Sequence, residues 1–220
     1  MISLDTTVAR AVSDHSACAA VFQRHRIDFC CKGERSISDA CADRGVDPAA
    51  LVAELEQAIE QRTGARTGEP ATMSTPQLVG HIMATHHAYL REVLPFVTGL
   101  ATKVGRVHGD RDERLVELAA VVRALAEDLE PHLDSEERTL FPAMLAGDAA
   151  RVAPELPAMH DEHLAVGALL GKMRELTDDF EPPAWACRSY RALLGELSAL
   201  ETDTLRHVHL ENHVLAPRFR

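Results

Sequence analysis

The chain has 220 residues and a formal net charge of -11, from 23 Lys and Arg against 34 Asp and Glu. A surface of that sign repels phosphate backbones, which argues against a nucleic-acid partner. No apolar run approaches the roughly 18 to 20 residues of a membrane-spanning helix, and Met1 to Arg10 has no basic stretch leading into an apolar core, so a cytoplasmic location away from membranes is expected.

The elements begin with Thr7 to Arg26, where Val8, Val12, Ala19 and Phe22 recur at helical spacing and predict one helix. A turn-like stretch follows from Ile27 to Gly33, then a short helix over Ser36 to Arg44. Asp47-Pro48 supplies an N-cap and a first-turn proline for a third helix ending at Arg62. Gly64, Gly68 and Pro70 lie in a stretch without apolar period, which predicts a linker. The expected division is a small helical domain over 1–62, a linker over 63–73 and a larger domain over 74–220.

In that larger part Thr75-Pro76 opens a long helix to about Thr102, and Asp112 to about Leu145 reads as a second. Two more are predicted, from about Pro154 to Thr177 and from about Pro182 to Ala216. Short connections make sequential long helices antiparallel, so the fold class is all-α, an antiparallel four-helix bundle preceded by a small helical domain. Pro95 and Pro131 fall inside these helices and are expected to kink or interrupt them.

An internal repeat points to the chemistry. His132, Glu136, Leu140 and Pro142 match His207, Glu211, Leu215 and Pro217, every pair 75 positions apart, and Leu118, Val122 and Leu125 match Leu193, Leu197 and Leu200 at the same offset. His87 and His163 are 76 apart, with Leu90, Leu94 and Val97 answering to Val166, Leu170 and Met173. The repeat and the alignment with Leu90 favour His87 over its neighbour His86. Each half therefore contributes one histidine and one HxxxE.

A histidine and a glutamate four residues apart project from one helical face, one turn above the other. Two such pairs and two further histidines can place four imidazoles and two carboxylates inside the bundle. Buried carboxylates are costly unless cations or hydrogen-bonding partners compensate them. Oxygen and imidazole donors without thiolate suit iron, manganese or zinc. If both glutamates bridge two metals, each metal has four protein donors; a solvent-derived bridge makes five and leaves a position open to oxygen, nitric oxide or peroxide. The other histidines, among them His81, His108, His160, His209 and His213, are assigned to the surface or to supporting positions.

The residues resemble the family of iron-sulfur cluster repair di-iron proteins, whose bundle is hemerythrin-like, and the resemblance covers nearly the whole chain. It is carried by Ile27-Asp28-Phe29-Cys30-Cys31-Lys32-Gly33, by His87 with Leu94-Pro95, and by Ala101-Thr102-Lys103-Val104 with Arg106-Val107-His108. His132 to Glu137 with Leu140-Phe141-Pro142, Glu162-His163, and His207 to Asn212 complete it. Ala216 and Lys32 depart from the family's pattern.

The resemblance implies metal ligands His87, His132, Glu136, His163, His207 and Glu211, holding two non-haem iron ions with an oxo or hydroxo bridge. It also implies damaged or apo iron-sulfur proteins as partners, repaired by iron donation or by nitric oxide removal. A di-iron nitric oxide reductase and an oxygen- or redox-sensing protein are the alternatives. Cys30 and Cys31 are by resemblance thiols for redox chemistry or delivery, and are expected to be reduced, because a disulfide between neighbours strains the geometry such bonds prefer. Packing accounts for Cys18, Cys41 and Cys187.

Overall fold

A computed structural model describes residues 2–62 and 69–220. The described residues are helical, with no strand beyond an isolated bridge between Thr7 and Ser36. Most of the linker expected at 63–73 lies outside the described residues; Pro70–Thr72 form a single 3-10 turn. The chain divides into two compact units, Met1–Gly80 with Leu205–Arg220, and His81–Thr204.

The first unit carries α1 (Val8–Asp14), α2 (Cys18–Arg24), α3 (Ile37–Arg44), α4 (Pro48–Arg62) and most of α5 (Thr75–Ile82). The single helix expected over Thr7 to Arg26 is two helices. His15 takes an extended backbone that ends α1, and the Ser16 amide turns aside to donate to Glu69 at 3.3 Å. Side chains close the helix starts: Thr7 accepts from the Arg10 amide and Ser36 from the Asp39 amide, each satisfying a donor with no partner inside its helix. Val8, Val12, Phe22, Phe29, Ile37, Leu51 and Leu55 form the core, and Val208 from the C-terminal segment belongs to it. Each such side chain contributes up to about 1.5–3 kcal/mol on burial.

The second unit contains α6 (Ala88–His108), α7 (Arg114–Ser135), α8 (Phe141–Leu145), α9 (Ala149–Val152), α10 (Leu156–Leu176) and the first part of α11 (Arg188–His209). Leu90, Leu94 and Val97 on α6, Leu118, Val122 and Leu125 on α7, and Val166, Leu170 and Met173 on α10 are buried. α7 packs against both α6 and α10, and the buried Glu201 of α11 pairs with Arg174 of α10. Among the described residues the fold is all-α, a helical bundle with a small helical segment preceding it in sequence.

Three details differ from the sequence expectation. Pro95 and Pro131 lie inside α6 and α7 without interrupting them, since each removes only one amide donor from a helix fixed by its buried face. α11 begins at Arg188 rather than near Pro182, because Asp178, Asp179 and Phe180 run consecutively in the left-handed region and two prolines follow. The long helices also contain π turns, at Met83–His87, Glu136–Leu140 and Leu210–Leu215. Such turns insert an extra residue and re-aim the side chains beside them, and they recur at functional sites.

Candidate metal centre

Each π turn contains one of the sequence-predicted ligands: His87, Glu136 or Glu211. His132 lies one turn before Glu136 near the end of α7, and His163 sits in the regular part of α10. All six are buried.

Within the second unit His87, His132, Glu136 and His163 converge. Glu136 Oε2 lies 3.4 Å from His87 Nε2 and 3.5 Å from His132 Nε2. The Nε2 atoms of His132 and His163 face each other at 3.2 Å. The donor atoms of His132, Glu136 and His163 lie within 4.8 Å of one another, as do those of His87 and Glu136. Among the described residues neither carboxylate oxygen of Glu136 has a hydrogen-bond partner, although both are buried. An ionised carboxylate left in that condition costs several kcal/mol by order of magnitude, and a cation among these imidazoles removes the cost. The residues present therefore fit a bound metal.

The far nitrogens of two imidazoles are held by carboxylates. His87 Nδ1 donates to Glu137 at 2.9 Å and His132 Nδ1 donates to Glu162 at 2.7 Å, leaving both Nε2 lone pairs turned toward Glu136. Burial works against the charged form of Glu137, but the hydrogen bonds from His87 and Arg91 outweigh it and hold the carboxyl below its ordinary range. Sequence reasoning missed Glu137 and Glu162 as partners; the only signal was that each adjoins a predicted ligand in the chain. A cavity of about 340 Å³ opens on His132 between Asp128, Pro131, Glu162 and Val166. A smaller one of about 50 Å³ touches both His132 and Glu136.

In the C-terminal segment of the first unit, His207 Nε2 donates to Glu211 Oε1 at 2.8 Å, the spacing the HxxxE pattern implies. His86 turns to Asp203, its Nδ1 at 2.9 Å. His209 is held by the Phe29 carbonyl at 3.1 Å and Ser13 Oγ at 3.2 Å, and burial lowers its pKa to about 4. His213 is paired with Glu34 at 3.3 Å. Of these three, His86 and His209 are buried rather than at the surface.

Cys30 and Cys31 group with Asp28, whose Oδ1 accepts from the amides of both cysteines at 3.1 and 2.8 Å. Their sulfurs are 3.4 Å apart, a hydrogen-bond contact between two thiols rather than a disulfide. The hydrogen bond with Cys31, then burial, raises the Cys30 thiol well above its ordinary value.

Comparison with known proteins agrees with this chemistry. The family described as hemerythrin HHE cation-binding domain matches residues 79–219, and an ScdA N-terminal domain, described as a domain of unknown function, matches residues 4–59. An iron-sulfur cluster repair protein ScdA of Staphylococcus haemolyticus is 32% identical, with all of both chains covered. Iron-sulfur cluster repair proteins YtfE of Musicola paradisiaca and Yersinia pseudotuberculosis are 35% and 34% identical, over 90% of this chain and 89% of each relative. The buried histidine and glutamate cluster on a hemerythrin HHE domain, together with these full-length relatives, means that this chain belongs to the iron-sulfur cluster repair protein family.

Proposed function

We propose that the protein repairs iron-sulfur clusters damaged by oxidative or nitrosative stress, through a di-iron centre held by His87, His132, Glu136, His163, His207 and Glu211. The observation that carries the reading is the buried carboxylate of Glu136, flanked by the imidazoles of His87 and His132 and without a hydrogen-bond partner among the described residues. The 75-residue repeat makes Glu211 the counterpart of Glu136, and two bridging carboxylates with four histidines suit two irons joined by an oxo or hydroxo bridge.

Bound iron supplies redox chemistry and an open coordination position for a diatomic ligand. The chain's own part is to aim the imidazoles. Glu137 and Glu162 hold the Nδ1 protons of His87 and His132 and so keep each Nε2 available as a donor. The apolar rows on α6, α7 and α10 limit water at the donors.

Residues 74–220 are taken as the metal-binding bundle and 1–62 as the thiol-bearing domain, a division supported by the spans of the two family matches. Partners are damaged or apo iron-sulfur proteins and small ligands such as nitric oxide or oxygen, with no nucleic acid or membrane, in the cytoplasm. Among the described residues no helix is long and apolar enough to cross a membrane.

Nitric oxide removal is a second reading, favoured by the cavity of about 340 Å³ that opens on His132. The test is recovery of cluster-dependent dehydratase activity after nitric oxide exposure in a strain lacking the protein. The intact gene restores recovery and the Glu136→Ala variant at equal level does not; unimpaired recovery with that variant would falsify the repair reading. Anaerobic nitric oxide turnover and iron transfer to an apo-cluster protein separate removal from donation.

A further inference from the structure

Of the five cysteines, three are buried and poorly disposed to ionise. Burial, aided by Glu69, pushes the Cys18 thiol up to about 12. Cys30 is raised by its bond with Cys31 and by burial, and Cys41 is raised chiefly by burial. Cys31 is half-buried against the first unit's core. Cys187 alone is exposed.

It also has an imidazole beside its sulfur. His108, the last residue of α6, places Nε2 3.2 Å from Cys187 Sγ, a contact between positions 79 residues apart. Cys187 directly precedes α11, and its carbonyl accepts from the Arg191 amide at 3.0 Å, so the residue stands at the start of a long helix, where the backbone dipole favours negative charge. Trp185 packs its ring 5.8 Å from that of His108, and the exposed Arg111 lies over the same indole at 4.6 Å. No carboxylate pairs with Arg111 among the described residues. A thiol, a proton acceptor and an uncommitted guanidinium thus share one surface, remote in sequence from every proposed ligand.

We propose that Cys187 is a modification site for carboxylate-bearing low-molecular-weight disulfides, with His108 as proton acceptor and Arg111 as carboxylate anchor. His108 Nε2 takes the thiol proton and Cys187 Sγ attacks one sulfur of the disulfide. The Cys187 S–S bond forms as the reagent's S–S bond breaks, and the departing thiolate recovers the proton from His108. One thiol and one disulfide give one mixed disulfide and one free thiol, so electrons balance without a further oxidant. The site is independent of the repair reading, since none of its groups belongs to the metal centre.

The test uses the full-length reduced protein and glutathione disulfide, with adducts located by peptide mass. The first adduct falls on Cys187 and is absent from Cys187→Ser. His108→Gln, with helical content unchanged, slows its formation at least about a hundredfold, the low end of what a positioned base contributes. Arg111→Ala slows the reaction with glutathione disulfide but not with bis(2-hydroxyethyl) disulfide, which carries no carboxylate. A first adduct on Cys31, or a wild-type rate in His108→Gln, overturns the site; equal rates for Arg111→Ala and wild type with glutathione disulfide overturn the anchor.

Discussion

Glu137 accepts a hydrogen bond from His87 Nδ1 at 2.9 Å, while its chain neighbour Glu136 approaches the Nε2 of the same ring at 3.4 Å. Two consecutive acidic residues at the start of one π turn thus address opposite edges of one imidazole, one fixing its tautomer and the other sharing its donor face. Glu137→Ala frees the ring and should weaken metal affinity by about 10- to 100-fold, the usual cost of losing such a partner. Glu137→Gln retains an acceptor oxygen and should lose less. Metal titration of both variants checks this; equal affinity in Glu137→Ala and wild type contradicts it.

The C-terminal histidines separate ligand from scaffold. His207→Ala should strip the metal, because this imidazole belongs to the proposed donor set. His209→Ala should keep metal content near normal but lower stability by about 1–3 kcal/mol, since the Phe29 carbonyl and Ser13 hydroxyl each lose a buried partner. Iron analysis and urea unfolding of the two proteins decide it. Iron loss in His209→Ala as complete as in His207→Ala would mean the imidazoles had been assigned the wrong way round.

Gly33 closes the Cys30-Cys31 loop by backbone proximity. A Cβ there would stand 2.6 Å from the Ala9 Cβ and 2.7 Å from the Phe29 carbonyl oxygen, neither of which is the end of a flexible side chain. Gly33→Ala should therefore destabilise the first unit by about 1–3 kcal/mol, as overpacking does. A urea midpoint equal to that of wild type would show that the loop can yield.

Much of this was legible in the sequence where one helical period governs a whole element. The stripe Leu118, Val122, Leu125 continues into His132, and the same period aligns Leu193, Leu197 and Leu200 ahead of His207. The π turns at His87, Glu136 and Glu211 were not legible, because they depend on where buried polar groups must point rather than on local propensity. The break between α1 and α2 was hidden because Glu69, remote in sequence, takes the Ser16 amide. The left-handed run at Asp178 to Phe180 is held by local side-chain bonds, Arg174 donating to Asp179 and the Phe180 amide to Thr177, which an apolar period does not register. Cys187 was assigned to packing, yet it is exposed beside His108, a contact across 79 residues that periodicity cannot register.

The di-iron assignment is tested most directly by counting metals per chain in protein isolated from iron-replete cells, for the wild type and for Glu136→Ala. The account predicts two irons per chain in the wild type and loss of both in Glu136→Ala, because in the proposed centre this carboxylate would serve both metals. One metal per chain, stoichiometric zinc, or two irons retained without Glu136 would contradict it.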